Sequence, residues 1–95
     1  METKDFNETF DHELRDPYFA AAYLAATLED GLDTFLVALR DVTRAHGGMA
    51  GVAAAAELNR ESLYRALSQG GNPRVKTLSS VLKALGLQLS VSRAV

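Results

Sequence analysis

The sequence predicts an all-α fold, a five-helix bundle followed by a short C-terminal β-strand. Three patterns carry that prediction. Leu32, Phe35, Leu36, Leu39, Val42, Thr43 and His46 recur at i, i+3, i+4, i+7 spacing, the period of a helix with one apolar face. Gly31, Gly47-Gly48, the Gly70-Gly71-Asn72-Pro73 run and Gly86 separate the apolar segments, as helix-stopping and turn residues do. Leu87-Gln88-Leu89-Ser90-Val91-Ser92 alternates apolar and polar residues, which is the period of a strand. At 95 residues the chain suits one domain, because two would each approach the lower size limit for a core. We read residues 1–15 as an N-terminal arm and 16–95 as the domain.

The elements follow in order. Phe6, Phe10 and Leu14 recur every four residues, which fits a helix face or a strand, so the arm has no assigned element. Asp16 can cap a helix with Pro17 at its first position, and Phe19, Tyr23 and Ala26 mark its stripe up to about Glu29. The second helix is the periodic segment from Leu32, ended by Gly47-Gly48. Met49, Val52, Ala53 and Ala56 line a third over about 50–57, and Asn59 can cap a fourth from Arg60 to Ser68. Val75, Leu78, Leu82 and Leu85 mark the last, over 75–85. The strand at 87–92 must pair with something, whether the N-terminal arm, a symmetry mate or another protein.

Composition removes several classes. There is no cysteine, hence no disulfide scaffold and no thiolate metal site. The N-terminus is acidic and polar, unlike a signal or transit peptide, and no apolar run approaches the roughly 20 residues of a membrane helix, so the cytoplasm is the expected location. The net charge of −2 conceals an asymmetry. Residues 1–41 carry ten acids against Lys4, Arg15 and Arg40, a net −7; residues 42–95 carry seven bases against Glu57 and Glu61, a net +5. A basic half can meet a polyanion and an acidic half a basic protein.

The spacing over residues 50–68 is that of a helix-turn-helix. Two helices that cross steeply need a small residue at their contact, and Ala53 supplies it. Leu58 is the apolar residue of the turn, Val52, Leu63 and Leu67 complete the unit's core, and Asn59 caps the second helix. The outward face of that helix then holds Asn59, Arg60, Glu61, Tyr64 and Arg65 as candidate base-reading residues. Arg can bond guanine bidentately, Glu can accept from cytosine, and Tyr can pack on a thymine methyl or reach a phosphate. Candidate phosphate contacts are the amides at Ala50 and Gly51, the side chains of Ser62 and Ser68, and Arg74 and Lys76 in the following segment.

These residues, with Asp16-Pro17, Tyr23-Leu24, Glu29-Asp30-Gly31, Ala38 to Val42, Arg44-Ala45, Gly47-Gly48-Met49, Arg60 to Ser68, Gly71-Asn72-Pro73, Thr77-Leu78 and Lys83 to Leu87, make the chain similar to a known family. Over residues 15–91 it resembles bacterial addiction-module antidote proteins, HigA-like antitoxins with a Cro/CI-like (XRE-type) helix-turn-helix. The resemblance implies a RelE/HigB-like toxin as partner, a small basic ribosome-dependent mRNA endonuclease. It also implies repression of the antitoxin's own operon by a homodimer on palindromic double-stranded DNA, with Asn59–Ser68 as recognition helix. Two positions depart from the family pattern. Ala50-Gly51 replaces a Ser/Thr and a Gln, which removes a cap and a phosphate contact and shifts weight to Arg60, Arg65 and Arg74. Glu57 stands at a turn site often held by Gly, which suggests a slightly different turn.

Other residues read more simply. His12 and His46 have no cysteine beside them, so no metal is expected, and His46 suits the C-terminal end of its helix. No Ser/His/Asp set, phosphate-binding loop or zinc pattern supports an enzyme or a cofactor. The N-terminal carboxylates read as a solvated acidic surface, part of which can contact a basic partner. Tyr18, Phe19 and Tyr23 read as core or subunit-interface residues. Two other classes fit the same sequence: a phage-type transcriptional regulator without a toxin, and a protein–protein adaptor that has lost DNA binding.

Overall fold

Asp16 opens the first long helix as its chemistry dictates. Its carboxylate accepts from the Tyr18 amide at 3.0 Å and Pro17 occupies the first turn. The computed structural model in which this is seen describes residues 10–95. Its elements, in chain order, are α1 (described residues 10–14), α2 (Pro17–Asp30), α3 (Leu32–Ala45), α4 (Met49–Ala55), α5 (Arg60–Ala66) and α6 (Val75–Ala84).

Gly31 is the joint between α2 and α3. Its φ of 127° lies where side chains are strained, and it lets one helix end and the next begin on a single residue. The two helices pack together, α3 also meets α4, and α4 contacts both α5 and α6. The core is centred on α3, whose Leu36, Leu39 and Val42 are fully buried with Leu14 of α1, Leu63 of α5, Leu67 at its C-cap and Val81 of α6. Each such side chain contributes about 1.5–3 kcal/mol through its removal from water.

Two expectations change. The bundle has six helices among the described residues, because α1 forms within the segment assigned to an arm. Leu14 is buried, and Phe10 packs edge-on against Phe19 and Tyr23 at 6.4 and 5.7 Å between ring centres. That apolar anchorage holds the described part of α1 on the bundle. Phe6 and the carboxylates Glu2, Asp5 and Glu8 lie outside the described residues.

The second correction concerns residues 87–92, which form no strand. A ladder needs another extended segment alongside, and the chain that this tail passes is helical. The tail instead leaves α6 through a capped end. Leu87 N–H donates to Leu82 at 2.7 Å, Gly86 N–H donates to Lys83 at 3.0 Å, and Leu87 packs on the core.

Candidate functional site

The site is built on α4, a four-residue turn and α5. Val52 and Ala53 are buried on α4, and the Leu58 amide donates to the Ala53 carbonyl at 2.8 Å, folding the turn back onto the first helix. Glu57 makes that reversal with a φ of 58°, the left-handed conformation that glycine favours. The residue departs from glycine; the backbone does not. Leu58 is half-buried against the core. Asn59 then caps α5, its side-chain oxygen accepting from the Ser62 amide at 2.8 Å.

Leu63 and Leu67, one turn apart, are fully buried. At 100° per residue the direction opposite to them belongs to Glu61 and Arg65, with Tyr64 on the flank and Arg60, at the first position of the helix, about 40° from the buried side. All four are exposed, as are Asn59 and Ser62. The Arg60 guanidinium lies 5.6 Å from the centre of the Tyr64 ring, a cation–π pair that holds the two side chains together. Asn59 has its oxygen committed to the cap, so only its amide N–H groups are free to contact a ligand. Ser68 donates to the Arg65 carbonyl at 2.8 Å.

Ala50 and Gly51 are exposed in the first turn of α4, which has no side-chain cap. Arg74 and Lys76 are exposed at the start of α6, and Lys76, Thr77 and Ser80 share a small cleft with Ala56, Glu57 and Leu58. The cleft places a cation of α6 beside the turn of the two-helix unit. Among the described residues, Arg60, Arg65, Arg74 and Lys76 have no carboxylate within 4.0 Å, so no described acid neutralises their charge. The described residues also contain no cluster of three or more metal-ligating side chains.

The acidic half is partly spent on structure. Arg44 donates to Asp11 at 2.9 Å and to Asp41 at 3.0 Å, and Tyr23 donates its hydroxyl to Asp41 at 3.1 Å. This network ties α1, α2 and α3. Burial, aided by the Asp41 carboxylate, pushes the Tyr23 phenol above its ordinary pKa. Glu13, Glu29, Asp30 and Asp33 remain exposed, the last three around the α2–α3 joint. Phe19 and Tyr23 join the aromatic cluster, whereas Tyr18 is 89% exposed and not a core residue. The His46 ring nitrogen Nδ1 lies 3.1 Å from the Val42 carbonyl, at the end of α3.

Sequence reasoning missed the Asp11–Arg44 contact and an apolar groove beside α2. The first lies in a segment with too little period to assign, and the second is created only when the tail passes α2.

Residues 2–93 match the family described as "Probable addiction module antidote protein". The chain belongs to this family. An uncharacterised protein of Haemophilus influenzae is 44% identical over 66 residues, 70% of this chain and 67% of that protein. No solved structure matches the chain. Membership in the addiction module antidote family supports an antitoxin role and implies a toxin partner in general terms. It points to a regulatory rather than a catalytic protein. None of the described helices is long and apolar enough to cross a membrane.

Proposed function

We propose that this antidote is a DNA-binding antitoxin of a type II toxin–antitoxin module, which neutralises a RelE/HigB-like toxin and represses its own operon as a homodimer. The observation that carries the reading is α5: a helix capped by Asn59 and anchored by Leu63 and Leu67, with exposed Arg60, Glu61, Tyr64 and Arg65 opposite and beside its buried stripe. In this reading α4 and α5 are a Cro/CI-like helix-turn-helix. Arg60, Glu61, Tyr64 and Arg65 read bases with help from the Asn59 amide. Arg74, Lys76, Ser62, Ser68 and the amides of Ala50 and Gly51 meet phosphates. Two such helices in a dimer enter successive major grooves about 34 Å apart. The exposed carboxylates around Gly31 suit a basic toxin.

Titration of labelled upstream operator DNA with wild-type and Arg65→Ala protein tests the assignment. Loss of a base contact costs about 1–3 kcal/mol, roughly 5- to 150-fold in Kd, and relaxes specificity at one base pair. Wild-type binding must also weaken steeply with salt as phosphate counterions are released. Unchanged affinity and specificity in Arg65→Ala removes the base-reading role, and a wild-type protein with no salt slope removes DNA binding.

A further inference from the structure

Arg60 is the first residue of α5, and its angular place there is a poor one for a reader of bases. It lies about 40° from the middle of the buried Leu63–Leu67 stripe, whereas Glu61 lies about 140° and Arg65 about 180° away. Arg65 leaves the helix already facing outward; Arg60 needs something to turn it. Tyr64 is placed to do so. It stands one turn on, about 80° from the stripe on the same flank, so a side chain drawn to its ring is drawn toward the exposed face. Side chains lean toward the N-terminus of their helix, which brings Tyr64 back over the turn of Arg60. The contact is made: Arg60 Cζ lies over the ring, 5.6 Å from its centre. The chemistry of the contact matters as much as its place. An ion pair that fixed Arg60 in advance would occupy the N–H groups that a base requires, and among the described residues no carboxylate lies within 4.0 Å of it. An aromatic face holds a guanidinium by its charge and its plane and takes none of those N–H groups. Asn59 fixes the backbone beneath, capping α5 through the Ser62 amide.

We infer that Tyr64 is a positioning residue for Arg60, acting through its ring face and not its hydroxyl, and that the pair reads one guanine in each half of the operator. A helix-turn-helix brings the N-terminal residues of its second helix to the base edges. An arginine held there in advance meets the O6 and N7 acceptors of guanine with its side-chain freedom already spent. Tyr64's share in the DNA-binding reading is then indirect, and its role rests on that reading. The contact is weak on an exposed surface and strengthens once DNA excludes water from it. Its effect belongs in binding specificity, where a merely structural role for Tyr64 would not show.

The test begins on the free protein, by NMR without DNA. The Arg60 Cδ protons should lie upfield of their position in Tyr64→Leu, as protons over an aromatic ring do, and should keep that shift in Tyr64→Phe. Tyr64 is 47% exposed, so leucine in its place leaves the core intact and far-UV helicity at the wild-type level. Titrations then use labelled upstream operator DNA and duplexes in which each base pair is replaced singly. Arg60→Ala should lose discrimination at one G·C pair of each half-site, and Arg60→Lys, which keeps the charge without the planar fork, should not recover it. Tyr64→Leu should lose about 2- to 30-fold of discrimination at the same pair, with the salt slope unchanged because no phosphate contact is removed. Tyr64→Phe should restore it, and the losses from Arg60→Ala and Tyr64→Leu should not add in the double variant. Arg60 protons that do not move between wild type and Tyr64→Leu overturn the inference. So does a Tyr64→Leu protein that keeps wild-type discrimination or loses it at a different base pair, or a Tyr64→Phe protein as impaired as Tyr64→Leu, which would make the hydroxyl the reader. Wild-type protein with no salt-dependent binding removes the DNA-binding reading and this role with it, and that result is separate because it is read on wild type alone.

Discussion

Gly71 lies where the loop from α5 to α6 folds under the end of α5, its amide donating to the Ser68 carbonyl at 2.8 Å. A Cβ built there would stand 2.6 Å from the Ala66 carbonyl oxygen, 2.8 Å from that of Ser68 and 3.1 Å from that of Arg65. All three are backbone atoms at a helix end, so no rotamer change relieves the contact. In Gly71→Ala the loop must move by several tenths of an ångström at least. Forced shifts of this kind in packed structure cost about 1–3 kcal/mol, and for a domain of this size each kcal/mol lowers Tm by about 4–8 °C. Gly51→Ala is the matched control. Gly51 lies inside α4, its φ is not positive, and nothing stands within 4 Å of an added Cβ. Helix propensity alone then predicts a gain of about 0.5–1 kcal/mol. Thermal melts followed by far-UV circular dichroism, with urea unfolding for the free energies, measure both. Opposite signs are expected. A Gly71→Ala protein as stable as wild type, or both variants shifting the same way, refutes the contact reasoning. Because the loop leads to Arg74, Gly71→Ala should also weaken operator binding at temperatures where the protein remains folded.

Three further outcomes follow from single residues. Thr43 is fully buried and its hydroxyl has no partner among the described residues, so Thr43→Val removes an unmatched polar atom at nearly constant shape; urea unfolding should show a gain of about 1 kcal/mol, and a loss would mean that the hydroxyl is bonded. Glu57→Gly relieves a left-handed backbone and should gain up to about 1 kcal/mol in the same assay, with a drop in stability speaking against strain at the turn. The raised pKa of Tyr23 means that its stabilising effect is whole below pH 10, the ordinary tyrosine value, and is lost as pH climbs through the higher folded value. Tyr23→Phe should therefore flatten the alkaline decline in Tm, and an unchanged decline would assign it to other groups.

Sequence alone determined the pieces that depend on neighbours a few residues apart. The caps at Asp16 and Asn59, the breaks at Gly31 and Gly86 and the buried stripes of α3 and α5 are local or periodic, and the described helices begin and end within a residue or two of where those signals place them. The exposed set on α5 was legible for the same reason, since burying Leu63 and Leu67 turns Glu61 and Arg65 outward. Tertiary structure decided what distance in the chain conceals. Asp11 reaches Arg44 across 33 positions, and that contact with the aromatic cluster turns a segment of ambiguous period into α1. Lys76 comes to the turn of the two-helix unit only through the packing of α6 on α4. The tail shows the limit most clearly. Its alternation states a capacity to pair, but a strand exists only against a second edge, and within the described chain there is none; the alternating pattern became half of a groove instead.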